Sequence, residues 1–208
     1  MTKATGPAGP DGVAPSIAIG PDGNWYINDV DTTEKAQGAS NAGAIVPFAS
    51  GIPVDISVLP LGLAGVSEFI GFGSSAPGLS VFGTTIDFSG GTLTDFAFNV
   101  PRDGYVSDIA ASFQVTAALA LDMTPTMYLY HAPAGTASFT QLTTSLVLPS
   151  LLGIAIGEVI TGHLNGIDLP VSAGDQLLLV ATGTGSGALI TGGTATGYIS
   201  AGLRLKYL

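Results

Sequence analysis

The chain has 208 residues, 46% of them hydrophobic and only 10% charged, with a formal net charge of −10. Its five Lys and Arg leave Arg102 as the one such cation between Gln37 and Leu203. That excludes a nucleic-acid partner, which needs clustered cations to replace phosphate counterions, and disfavours an anionic membrane surface.

With 30 Gly and 13 Pro and so few Lys, Arg and Glu, exposed helix faces could not be covered, and an all-β chain is expected. No cysteine is present, so disulfides and thiolate chemistry are excluded. The longest apolar stretch, LVLPSLLGIAIG at 146–157, is too short to span a bilayer and contains Pro149. No membrane insertion is expected, and the hydrophobicity has to be buried within the fold or between copies. Met1-Thr2-Lys3 leads straight into Gly and Pro, so no apolar export leader is expected.

Residues 1–14 place Gly6, Gly9 and Gly12 three apart with Pro7 and Pro10 between them, the spacing of a collagen triple helix. Three triplets are too few to hold three chains together, so another part of the chain would have to set their number. In residues 15–43, IAI and NWYIN flank Gly20-Pro21-Asp22-Gly23, a turn in which Pro fixes φ and Gly accepts φ > 0. A small β-hairpin followed by a flexible linker to Gly43 is expected. From Ala44 to Leu208 the text is a series of β runs: 44–48, 55–61, 67–72, 79–88, 95–100, 104–117, 126–132, 138–148, 157–164, 175–183 and 196–208. Short strands at this spacing imply a sandwich or barrel. In 104–117, strict alternation assigns Tyr105, Ser107, Ile109, Ala111, Phe113 and Val115 to one face. Leu177, Leu178, Leu179 and Val180 are apolar on both faces, as in a central strand or one beneath an interface.

Chemistry-bearing residues are sparse. His131 ends an alternating run and reads as a strand-end or interface side chain, and His163 precedes a turn. No G-x-S-x-G elbow occurs, and GFGSSA (71–76) and GTGSGA (183–188) do not lead into the helix that a dinucleotide site requires. No enzyme activity and no cofactor are expected. Asn28, Asp29, Asp31 and Glu34 supply hard oxygen ligands but lack the EF-hand spacing, so they read as solvated turn residues and no metal is expected. Asp87, Asp95, Asp103 and Asp108 are scattered near strand ends. Arg102 is expected to pair with Asp103 or another acid, with an intersubunit or ligand carboxylate as the alternative.

Several segments together carry a family resemblance: VPFASG (46–51), FIGFGSSAPG (69–78), TTIDFSGG (84–91), FAFNVPRDGYVSDIAASF (96–113), LPVSAGDQLLLVATG (169–183) and GYISAGLRL (197–205). In this order they resemble the C-terminal domain of collagen-like exosporium glycoproteins of Bacillus-type spores, in particular the BclB-related group. The resemblance implies a jelly-roll β-sandwich similar to C1q and tumour-necrosis-factor heads, assembling as a homotrimer at the tip of a collagen-like fibre on the spore surface. Secreted and phage-fibre surface structures are the alternative setting.

The leading expectation is therefore a structural, self-trimerising glycoprotein head. Gly6, Gly9 and Gly12 would belong to the stalk. Phe69, Phe72, Phe96, Phe98, Phe113, Leu177, Leu178 and Leu179 would form the core and interface. Two further readings keep the fold. One is a module that binds glycans or host surface proteins; the other is a filament in which residues 1–43 dock onto the next subunit.

Overall fold

A computed structural model describes residues 15–36, 43–78, 84–90, 94–117, 122–185 and 192–207. Gly6, Gly9 and Gly12 lie outside the described residues. The chain divides into two units, with the boundary between Ala42 and Gly43.

In the first unit, β1 (Ile17–Ile19) and β2 (Asn24–Ile27) form the hairpin expected around Gly20–Gly23. The segment after it, expected as linker, instead supplies a third antiparallel strand, β3 (Val30–Lys35). The two-residue connection Asn28-Asp29 has positive φ at both positions, 51° and 62°. That is the conformation of a type I′ hairpin turn, which Asn and Asp tolerate better than other non-glycine residues. The Asn28 side chain also accepts a hydrogen bond from the Ser16 backbone N–H at 2.9 Å, tying the turn to the start of β1.

The second unit holds β4 (Ala44–Ala49), β5 (Val54–Val58), β6 (Ser67–Ile70), β7 (Ser75–Pro77), β8 (Thr85–Asp87) and β9 (Phe98–Asn99). There follow β10 (Gly104–Ala117), β11 (Met123–Ala132), β12 (Ser138–Val147), β13 (Val159–Val171), β14 (Gln176–Gly185) and β15 (Gly193–Tyr207). The strand expected at 95–100 is mostly a 3₁₀ turn at Thr94–Phe96, which leaves only β9. The strand expected to stop at 164 runs on to Val171, so His163 sits within a strand rather than before a turn. Gly166 and Asp168 adopt positive φ there, and the pairing with β10 slips between Val106 and Asp108. What reads as a turn is a bulge in a continuous strand.

That bulge corrects the face assignment in β10. Ile109, Ala111, Phe113 and Val115 point inward as alternation requires, but before the slip the inward residue is Val106, and Tyr105 is exposed. An irregularity of one residue reverses the parity of everything beyond it.

Eight strands of the described residues define the architecture. Taken in chain order, β4, β6, β10 and β11 pair antiparallel with β15, β14, β13 and β12 respectively. First meets last, second meets seventh, third meets sixth and fourth meets fifth. This is one long hairpin rolled up, a jelly-roll β-sandwich. Further pairing of β10 with β15 and of β11 with β14 closes two sheets, in the orders β13-β10-β15-β4 and β7-β6-β14-β11-β12-β8.

Between the sheets lies a core containing Phe48, Ile56, Ile70, Phe113, Met127, Leu177, Leu179 and Leu203. A second apolar cluster covers the other face of the β14 sheet: Leu178 and Val180 pack with Phe69, Ile86, Phe88, Phe96, Tyr130 and Phe139. Phe88 meets Phe69 and Phe139 edge-on, with ring centroids 5.4 and 5.5 Å apart, a favoured aromatic geometry. Strand β8 pairs along β12 and brings Ile86 and Phe88 over this face, so the chain covers its own outer sheet.

One acid is buried in this frame. Glu68 on β6 is 6% exposed, and its burial, with the Asp55 charge nearby, pushes its carboxyl up to about 7 against an ordinary 4.5, despite a hydrogen bond from the Asp55 backbone. Because the folded chain then holds a proton that the unfolded chain releases, this group's contribution to stability is full below pH 4.5 and is lost as pH rises to about 7. Glu68→Gln is expected to flatten that fall and to raise the urea midpoint at pH 8, measured across a pH series.

Candidate assembly surface

The outer face of the β14 sheet is covered in part by its own chain, apart from a hollow of about 310 Å³ lined by Tyr128, Tyr130, Gln141 and Thr182, while the outward face of the β10 sheet is a broad exposed surface. The registers of β13, β10, β15 and β4 lay its side chains in rows. Thr161, Ser112, Ser200 and Ala49 form one row, and His163, Ala110, Gly202 and Pro47 form the next. Larger residues border them: Val159, Gln114 and Tyr198 at one end, and Asn165, Asp108, Arg204 and Ile45 at the other. Small side chains in the middle rows leave a shallow hollow of about 540 Å³, lined by Ala110, Ser112, Thr161, His163, Ser200 and Gly202 among others. A second hollow of about 230 Å³ lies beside it and shares Ala110, His163 and Gly202.

Electrostatics set this face apart. In these four rows the full charges are Asp108 and Arg204, which lie 3.7 Å apart. The Ser107 hydroxyl also donates to Asp108, at 2.6 Å. On a chain with net charge −10, a face whose one acid is matched by a cation opposes the approach of a second copy little. Val159, Tyr198 and Ile45 add exposed apolar surface at the borders.

The residues expected to make core and interface divide differently. Phe69, Phe96 and Leu178 lie in the outer cluster, and Phe113, Leu177 and Leu179 between the sheets, all buried within one copy. Side chains enclosed this way present no surface to a neighbour. Phe98 is partly buried against the inter-sheet core. Phe72 is 50% exposed and stacks on Phe48 with centroids 5.1 Å apart. None of the eight falls on the small-residue face. The usable signal for that face was the alternate set of β10 and β15, Ala110, Ser112, Ser200 and Gly202, where every second residue is small rather than charged.

Other chemistry-bearing residues serve the fold. His131 and Asp175 are 2.8 Å apart, and the Asp175 carboxylate also accepts the backbone N–H groups of Ser172 at 2.8 Å and Ala134 at 3.1 Å. Burial alone would raise this carboxyl, but the bonds from Ser172, His131 and Ala134 outweigh it and hold it below the usual carboxylate range. The group fastens the 172–175 turn to the end of β11. Arg102 does not pair with Asp103: its guanidinium lies over the Tyr207 ring, 5.4 Å from the centroid, while Asp103 accepts the Ala173 N–H at 2.8 Å. Asp87, Asp95, Asp103 and Asp108 stay apart, and no group of three metal-ligating side chains occurs among the described residues.

No protein-family model matches the chain. It is 34% identical over 182 residues to Collagen-like protein 1 of Acanthamoeba polyphaga mimivirus, a match that covers 81% of this chain and 19% of that protein. The chain thus spans about one fifth of the length of the relative it matches. Among solved structures, it aligns with the Eiger tumour-necrosis factor of S. frugiperda at 12% identity and a TM-score of 0.37, over 79% of this chain and 94% of that one. It aligns with Desmodium yellow mottle tymovirus at 10% identity and a TM-score of 0.23, over 82% and 91%.

Asp175→Ala removes three hydrogen bonds from a nearly buried carboxylate and leaves two backbone donors unmatched. A loss of roughly 1–3 kcal/mol in unfolding free energy is expected, measured by urea titration.

Proposed function

We propose that this chain is the structural head of a collagen-like surface fibre, in which three copies associate through the outward face of the β10 sheet. The observation that carries this reading is a broad, nearly uncharged, small-residue sheet face on a strongly acidic chain. Closely approaching backbones need small side chains, and a face that buries its few charges as a matched pair avoids the desolvation of an unpaired one. Three is the number of chains in the collagen helix whose spacing Gly6, Gly9 and Gly12 follow, the likeness to a protein named as collagen-like supports it, and the heads rather than the triplets hold the copies together. A closed ring of heterologous contacts then joins the heads and sets the register of the chains that precede them. The role is mechanical and non-catalytic, and the spore exosporium is the setting that the sequence resemblance implies.

Light scattering is expected to give three times the chain mass of 20.7 kDa. Gly202→Glu is the diagnostic change, because a Cβ at Gly202 meets only the Ile45 side chain, at 3.8 Å, so the fold accepts it. The variant is expected to keep its β-sheet circular dichroism and run as single chains. A single-chain mass for the parent, or an undiminished trimer in Gly202→Glu, would falsify the proposal.

A further inference from the structure

The first unit is a 22-residue described segment whose sheet has two unlike faces. Registers Ile17↔Ile27 and Ile19↔Trp25 place these four side chains on one face, with Val30, the partner of Ile27, beside them. All five are exposed, from 39% for Trp25 to 66% for Val30. The opposite face carries a polar network. The Asn24 amide donates to Asp22 at 2.9 Å and to Asp31 at 3.1 Å, and the Tyr26 hydroxyl donates to Asp22 at 3.4 Å. A hollow of about 390 Å³ opens on the apolar side between Ile17, Trp25, Ile27, Thr32 and Glu34.

Three short strands with one largely apolar face left uncovered do not hold together alone in water. We propose that this face is covered by the same face of two other copies, so that three sheets close around a threefold axis into a small prism with Trp25 and the isoleucines at its centre and the Asp22–Asn24–Tyr26–Asp31 network outside. The occupant follows from the sequence just before β1. The third triplet, Gly12-Val13-Ala14, is separated from Ile17 only by Pro15 and Ser16, a reach of roughly 10 Å. In a particle of three chains held together by the heads, three identical apolar faces are present, each a short step along the chain from its last triplet. Asp22 and Asp31 belong to the opposite face, and the one acid lining the hollow is Glu34, beside Thr32. This inference rests on the three-chain reading above but concerns a different surface, and a prism here would align the registers of chains that the heads already hold together.

Two features of the composition make the test clean: Trp25 is the single tryptophan, and there is no cysteine. In the full chain Trp25 fluorescence is expected to be shielded from acrylamide. The double variant Ile17→Asp with Ile27→Asp is expected to lose that shielding while light scattering still reports three chains. Ile19→Cys, on the apolar face, is expected to be trapped across copies by a short bis-maleimide, and Ala18→Cys, on the polar face, is not. Cross-linking reads the assembled state directly, so it decides the matter even if the double variant unfolds the small sheet. Three-chain particles whose Trp25 is freely quenched, or whose Ile19→Cys fails to cross-link, overturn this inference and leave the head assembly standing. Single-chain particles overturn both. A shielded Trp25 in single chains would mean that the face packs against its own chain.

Discussion

The burial of β14 on both sides is the constraint from which the rest of the head follows. Leu177 and Leu179 face the core between the sheets, while Leu178 and Val180 face the outer cluster. A strand that is apolar on both faces has to lie at the centre of its sheet with a layer on each side. The inner layer is the other sheet. The outer layer is made locally, by β8 and the turn that carries Phe96, at the expense of a long excursion between β7 and β10. The same enclosure takes in Glu68: β6 is paired with β7 on one side and with β14 on the other, and the carboxyl is buried between them.

Covering the outer sheet decides which surface is left for other molecules. A jelly roll has two broad faces, and much of one of them is covered by the chain itself. The remaining face is built by β13, β10, β15 and β4, whose alternate residues are large inward and small outward. Phe113, Ile199 and Leu203 look into the sandwich, and Ser112, Ser200 and Gly202 look out. Most of the acids lie elsewhere, so charge is distributed unevenly over the molecule.

Much of this was legible in the sequence. The absence of helix-surface residues gave the class, and the alternation in 104–117 located β10 to the residue. The doubly apolar Leu177–Val180 run marked the central strand. Three things were not legible, each for a physical reason. Val30–Lys35, written VDTTEK, forms a strand whose partner and turn supply its reasons, and its own polar composition reads as linker. The bulge opposite Ser107 depends on pairing between segments some sixty residues apart, which no local periodicity reveals. The small-residue face carries only a faint signal, because Ala, Ser and Gly at alternate positions look like filler until the strands are set side by side. Aromatic and leucine-rich positions drew attention instead, and those build the interior of a single copy.

The rolled-hairpin topology also has a mechanical consequence. Its first and last strands are neighbours, with Ala44 opposite Leu205 at the end of their ladder. Tension applied between those two ends would open the ladder like a zip, one pair of hydrogen bonds at a time. Tension entering through β4 and leaving through the sheet face would instead shear many bonds together. The topology therefore resists tension across the sheet face better than tension between its two ends.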